Sequence, residues 1–193
     1  MTPGVPFSGK RHPRVWFTGN LRLGCSDKLR RANRSFASVD EMDHFLIVHW
    51  NEVVHPDDHV WVLGDFCADR ATLADAYLEQ LNGSKCLIVG DYDLLEIRRA
   101  KGWEYVDWFV KILLDEQWIF LSHYPLHGRP PGTNDVLNLF AHDDENAPAR
   151  APCCDVGLER WSYRPIGIED VRFRLESTRR RLFPHSRPSR FDH

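Results

Sequence analysis

Long apolar runs are what this chain most plainly lacks. Among 193 residues no stretch approaches the about 18 consecutive apolar positions of a membrane-spanning helix, which excludes that architecture. The opening MTPGVPFSGKRHPR has no apolar h-region and does not read as a signal peptide. Cysteine is sparse and poorly placed for bridging: there are 5, an odd number, and Cys153 and Cys154 are adjacent. No disulfide framework is expected, and a reducing, cytoplasmic setting follows. No internal repeat is visible. An excess of charge is missing too, since 25 Lys and Arg against 28 Asp and Glu leave −3. What is present suits a packed fold. A hydrophobic share of 42% with 12% aromatics argues against general disorder. A chain of this length buries about 70% of its unfolded surface and needs no disulfide or metal merely to fold.

Residues 1–14 read as an irregular arm, 15–182 as one domain and 183–193 as a mobile tail. Val15 to Thr18 is a short β-type run ended by Gly19-Asn20. Ser38 is placed as an N-cap with Glu41 in the capping-box position. Met42, Phe45, Leu46, His49/Trp50 and Val53 then follow at helical spacing, up to the break at His55-Pro56-Asp57-Asp58. His59 to Leu63 predicts a strand stopping at Gly64-Asp65, Ala71 to Leu81 a helix, and Cys86 to Val89 a strand ending at Gly90-Asp91. This alternation favours an α/β layered fold. In the second half, 105–110 and 118–122 are β-type runs joined by a turn at 114–117, and Val136 to Phe140 is another. Residues 127–135 and 143–153 are loops by composition, and Ile168 to Leu182 is helical.

The informative pattern is where acids and histidines fall. Asn20, Asp65, Asp91, His123 and His142 each follow a short apolar run. Ligands of α/β sheets bind where C-terminal strand ends converge, so five such residues from separated segments can meet. Each alone is more often a turn former, and it is the set that carries the reading.

Taken in order, Gly64-Asp65, Gly90-Asp91-Tyr92-Asp93, Ser122-His123-Tyr124-Pro125 and Ala141-His142-Asp143-Asp144 resemble the motifs of the short bacterial calcineurin-like metallophosphoesterases. The likeness runs from Trp16 to Val171 and includes Leu81-Asn82-Gly83 and Tyr163-Arg164-Pro165-Ile166. It implies two stacked mixed β-sheets flanked by helices, a four-layer sandwich, with a dinuclear metal cleft at one edge. Two cations about 3.5–4 Å apart would activate a bridging water for in-line displacement at phosphorus.

By the same resemblance, Asp65, Asp91, His123 and His142 form the second metal site. This two-oxygen, two-nitrogen set suits Mn, Fe, Zn or a similar divalent ion. The first site is altered. Asn20 stands at the family's aspartate, Arg22 at a histidine and Asp144 at another histidine. Tyr92 occupies the position of the catalytic histidine, and Cys25 that of a further one. Arginine has only donors and cannot ligate a cation. At an effective dielectric of about 20, a unit charge about 4 Å from a dication costs about 8 kcal/mol. Arg22 is therefore expected to pair with Asp65 and Asp144 in place of the first metal. A phenol is also a far weaker acid than an imidazolium.

Three states stay open at this point: an ion-paired site without metal, one divalent ion at the second site, and a working two-metal enzyme. The leading functional reading is a phosphoesterase-fold protein without ordinary hydrolysis, acting as a binding or regulatory pseudoenzyme. The alternative is a divergent metal-dependent hydrolase of phosphomonoesters, phosphodiesters or nucleotides. A phosphate-containing ligand fits either, no membrane partner is expected, and a homo-oligomer stays open.

Other features have plainer readings. Arg172 to His193 holds seven Arg against Glu176 and Asp192, a net +5, which reads first as a solvated helix end; nucleic acid is not expected there, since the whole chain is acidic. Cys153-Cys154 lacks a second ligand pair for zinc. His44, His49, His55 and His59 read as surface, and most of the seven tryptophans as core.

Overall fold

The computed structural model describes residues 12–26, 34, 36–68, 71–126, 136–142 and 153–182. Two sheets result. The first contains β1 (Val15–Thr18), β2 (His59–Val62), β3 (Ser84–Ile88), β4 (Trp103–Asp107) and β9 (Ile166–Gly167), in the order β4-β3-β2-β1-β9. The second orders β5 (Phe109–Leu114), β6 (Gln117–Ser122), β7 (Leu137–Phe140) and β8 (Cys153–Asp155) as β5-β6-β7-β8. β1 to β4 pair in parallel and β9 joins β1 antiparallel. β5 and β6 form a hairpin, after which β6, β7 and β8 run parallel. Both sheets are thus mixed. Helices α1 (Val39–Val53), α2 (Ala74–Gln80), α3 (Leu95–Arg98) and α4 (Ile168–Leu182) flank them. The expected two-sheet α/β sandwich is present.

Strand alternation divides the interior in two. Trp16, Val60, Val62, Leu87 and Val89 pack with Met42, Leu46 and Trp50 of α1. Phe17, Leu63 and Ile88, one residue out of step, pack against Ile119, Leu121 and Leu139 of the second sheet. Successive side chains of a strand face opposite ways, so β1, β2 and β3 each serve both cores. At about 25 cal/mol per Å² of apolar surface, these two cores supply most of the folding drive.

Several expectations are corrected. The run 105–110 is two strands: Asp107 ends β4 beside Ile88, while Phe109 begins β5 opposite Ser122. The chain changes sheets at Trp108, which is 63% exposed and whose N–H donates to Asp107 Oδ1 (2.7 Å). β-type composition does not show a change of sheet partner. Trp118 is also exposed, so these two tryptophans are not core. Ala71 to Leu73 is a 3₁₀ turn, and α2 proper stops at Gln80. Cys153, assigned to a loop, opens β8. At α1, Ser38 Oγ accepts the Glu41 N–H (3.1 Å), but the Glu41 carboxylate takes the N–H of Ala37, not that of Ser38. The arm to residue 11, the loop 127–135 and the tail 183–193 lie outside the described residues. Among the described residues no helix is long and apolar enough to cross a membrane.

Candidate functional site

The site grows from the ends of β1, β2 and β3 in one sheet and of β6 and β7 in the other. Beyond β1 the backbone continues alongside the segment after β2. Asn20 N donates to Gly64 O, Arg22 N to Asp65 O and Leu23 N to Phe66 O, at 2.8–3.0 Å. This pairing holds Asn20, Arg22 and Asp65 at φ of 57°, 49° and 57°, a left-handed conformation rare for non-glycine residues. Backbone strain of this kind collects at functional sites. Two buried groups keep the segment there. Asp43 of α1 accepts the Gly24 N–H (2.9 Å) and the Tyr77 hydroxyl (2.7 Å). The buried Arg34 guanidinium donates to Asn20 O (2.6 Å) and Leu21 O (2.8 Å) and pairs with Glu159 (2.5 Å).

The strand ends meet closely. A Cβ at Gly64, where φ is +92°, would lie 2.3 Å from His123 Nδ1 and 2.8 Å from Gly90 Cα. One at Gly90 would lie 2.7 Å from Asp65 N and Oδ1. Only glycine lets the segments after β2, β3 and β6 close on one point. Asp93 clamps them: its carboxylate accepts the N–H groups of Asp65 (2.9 Å), Phe66 (2.9 Å) and Gly90 (2.8 Å). Burial pushes its pKa up to about 6, against the downward pull of those N–H groups.

Asp65 is fully buried. Its Oδ2 accepts both Nε (3.0 Å) and Nη2 (2.7 Å) of Arg22, and its Oδ1 accepts the Tyr92 N–H (3.1 Å). The Arg22 guanidinium lies 4.7 Å from the centroid of the half-exposed Tyr92 ring. The Arg22–Asp65 pair expected from the sequence is therefore formed. Asp144, its other expected partner, lies outside the described residues. Asn20 is buried, with its Nδ2 against Gly157. Cys25 is buried as well, its N–H on Arg22 O (3.1 Å).

On the other side of Asp65 stand Asp91, His123 and His142, whose ligand atoms lie within 4.8 Å of one another. Asp91 Oδ2 is 3.6 Å from His142 Nε2 and 3.9 Å from His123 Nε2. Asp65 Oδ1 is 3.8 Å from His123 Nε2. His123 Nδ1 lies 2.9 Å from Leu63 O, so that nitrogen carries the hydrogen and Nε2 turns its lone pair to the site. Nε2 is buried without a hydrogen-bond partner. A buried acceptor left unmet costs about 1–3 kcal/mol unless something occupies it. Two imidazole nitrogens and carboxylate oxygens suit a divalent ion of the Mn, Fe or Zn kind, so the residues present fit such a group. The Tyr124 hydroxyl donates to Asp91 Oδ1, which pushes the phenol pKa up to about 12.

Sequence reasoning assigned no role to Arg34, Asp43, Asp93 or Tyr124. Asp93 and Tyr124 stood inside quoted motifs, the one signal available. Arg34 and Asp43 had none, since a charged residue near a helix ordinarily reads as solvated.

No family model matches the chain. An uncharacterised protein of Methanocaldococcus jannaschii is 33% identical over 82 residues, 42% of this chain and 47% of that protein. The gene 66 protein of Mycobacterium phage L5 is 29% identical over 134 residues, 64% of this chain and 60% of that protein. The matches thus span about half of these curated relatives. Among solved structures, a protein of unknown function from Aquifex aeolicus superposes with a TM-score of 0.68 at 19% identity, covering 84% of this chain and 99% of that one. That likeness shows a shared fold. The phosphoesterase Yfce of E. coli is more distant, with a TM-score of 0.36 and 16% identity over 75% of this chain and 78% of that one. A superposition this loose bears on neither fold nor function.

Proposed function

We propose that the strand-end cleft binds one divalent cation together with a phosphate-containing ligand. On this reading the chain is a phosphoesterase-like protein that does not carry out ordinary two-metal hydrolysis. It acts as a binding or regulatory module. The observation that carries the proposal is His123 Nε2: buried, unpartnered, fixed in its tautomer by Leu63 O, and faced by Asp91 and Asp65. Asp91, His123 and His142 would hold the cation, with Asp65 Oδ1 beside them. When bound, such an ion offers a Lewis-acid contact to a phosphoryl oxygen.

The remaining residues shape the pocket around it. Asp65 gives its other oxygen to Arg22, whose guanidinium would take the place of the first metal that the resemblance implies. The charges nearest the cation position are the Asp65 and Asp91 carboxylates and the Arg22 guanidinium, with the Asp93 carboxylate behind Asp65, so a bound dication would offset the surplus of negative charge. The dication and the Arg22 guanidinium beside it would present positive charge to an anion such as a phosphate group. Tyr92, at the position of the family's catalytic histidine, lies over Arg22. There it stacks on the guanidinium, and its phenol makes a poor general acid at neutral pH. The cytoplasmic setting inferred from the odd number of cysteines and the adjacency of Cys153 and Cys154 belongs to the same proposal.

The test is metal content and turnover measured together. Equilibrium dialysis with Mn²⁺ followed by elemental analysis should give one ion per chain, and none for H123A/H142A. Hydrolysis of bis-p-nitrophenyl phosphate with added Mn²⁺ should not exceed that of a D65N control. Two ions per chain with turnover would restore the ordinary enzyme. One ion with turnover would establish the single-metal hydrolase, and absence of any bound ion would remove the cation from the account.

A further inference from the structure

Two of the donors facing the candidate cation position, Asp65 and His123, are held by hydrogen bonds with other groups. Asp65 is held through Oδ2 by Arg22 and through Oδ1 by the Tyr92 N–H. His123 is held through Nδ1 by Leu63 O. Asp91 differs in its surroundings, because its side chain is 48% exposed while those of Asp65 and His123 are at 0% and 1%. An exposed carboxylate samples several rotamers, and ordering it costs free energy at the moment of binding. Among the described residues one hydrogen-bond donor restrains it, the Tyr124 hydroxyl on Oδ1. That contact leaves Oδ2 turned toward both imidazoles, 3.6 and 3.9 Å from their Nε2 atoms.

Tyr124 is itself fixed. Its ring packs on His142 (centroids 4.6 Å apart, 44° between planes) and meets His123 edge-on (4.9 Å, 73°). Its backbone is pinned by a short relay from β7. The buried Asn138 donates Nδ2 to Ser122 Oγ (2.9 Å), and Ser122 Oγ donates to Tyr124 O (2.7 Å). Asn138 Oδ1 also accepts the Leu126 N–H (3.0 Å), which closes the bracket two residues beyond Tyr124. The phenol is thus carried on a rigid segment of the second sheet and reaches a carboxylate at the end of β3 in the first.

We propose that Tyr124 is a positioning residue: its hydroxyl holds the exposed Asp91 carboxylate in the orientation in which Oδ2 can ligate a divalent cation. The proposal rests on the cation reading above. It assigns to Tyr124 a role in metal affinity that no motif spacing reveals. Groups that orient metal ligands typically contribute about 10–100-fold to affinity.

The experiment is a double-variant cycle read by Mn²⁺ binding, with free Mn²⁺ followed by electron paramagnetic resonance in wild type, Y124F, D91A and D91A/Y124F. The Y124F change removes one oxygen from a half-exposed ring, and its thermal midpoint checks that the fold is kept. Y124F should weaken Mn²⁺ binding about 10-fold or more. In the D91A background the same change should alter binding by less than about twofold, since the group it acts through is gone. Equal affinity of Y124F and wild type would overturn the proposal. So would an undiminished effect of Y124F in the D91A background, because Tyr124 would then act elsewhere. If wild type itself fails to bind Mn²⁺, the cation reading falls and takes this proposal with it. That result is distinct from a wild type that binds and a Y124F that binds equally.

Discussion

Asp65 divides its two oxygens between opposite tasks, and its value depends on both. Oδ2 neutralises Arg22 while Oδ1 faces His123. Removing one partner of a buried ion pair leaves an uncompensated charge and typically costs about 3–5 kcal/mol. R22M is therefore expected to lower the unfolding free energy by about 3 kcal/mol in urea titrations, with R22M/D65N recovering part of it. A double variant no more stable than R22M would show that the stranded carboxylate is not the source. Asp93 gives the pH counterpart. Its folded pKa of about 6 lies above the ordinary 3.8, so the native state binds the proton more tightly than the unfolded chain does. Its stabilising contribution is complete below pH 3.8 and is lost as pH rises through about 6. Two units correspond to about 3 kcal/mol. Urea unfolding between pH 4 and 7 should show wild type losing about that much stability relative to D93N, in which position 93 does not titrate. Asp65 was legible as a candidate because it follows Gly64 at the end of an apolar run. Its anchor Asp93 was not, because nothing in a sequence shows that three backbone N–H groups converge on one side chain.

At the scale of the element, local signals served best where the chain decides its own shape. The α1 start at Ser38 and its 15-residue course to Val53 follow from a capping residue and helical spacing. The β5–β6 hairpin shows a weaker case. Its turn residues Asp115 and Glu116 sit at φ of 46° and 62°, as a type I′ turn requires. A glutamate there bears a left-handed conformation that glycine adopts freely. E116G should raise the unfolding free energy by about 0.5–1 kcal/mol, seen as a higher thermal midpoint. A lower midpoint would mean that Glu116 has a compensating role. Asp115 should be kept, because its Oδ2 receives Arg172 of α4 (3.4 Å). The division of 105–110 between two sheets escaped prediction for a physical reason. Apolar composition reports that a segment is buried or paired, not which strand pairs with it.

For the whole molecule, the decisive fact is that the site is built from both sheets. Asp65 and Asp91 come from the ends of β2 and β3, and His123 and His142 from the ends of β6 and β7. They face one another because Phe17, Leu63 and Ile88 pack against Ile119, Leu121 and Leu139, drawing the two sets of strand ends to one edge. A cation held by this group would also link the two sheets. Disturbing the inter-sheet core should loosen the donor set without touching a ligand.

The amino-acid order alone determined the α/β class, most strands, the two long helices and the placing of Asn20, Asp65, Asp91, His123 and His142 just beyond apolar runs. These are properties of neighbouring residues: periodicity, capping and turn chemistry act over a few positions. The tertiary structure decided which of those residues meet. It brought Asp91, His123 and His142 within 4.8 Å of one another, and gave one Asp65 oxygen to Arg22. It also recruited Arg34, Asp43, Asp93 and Tyr124 to hold them. Those outcomes depend on how two sheets stack and how closely Gly64 and Gly90 let the backbone approach. Contacts between residues tens of positions apart are set by packing, which no local pattern encodes.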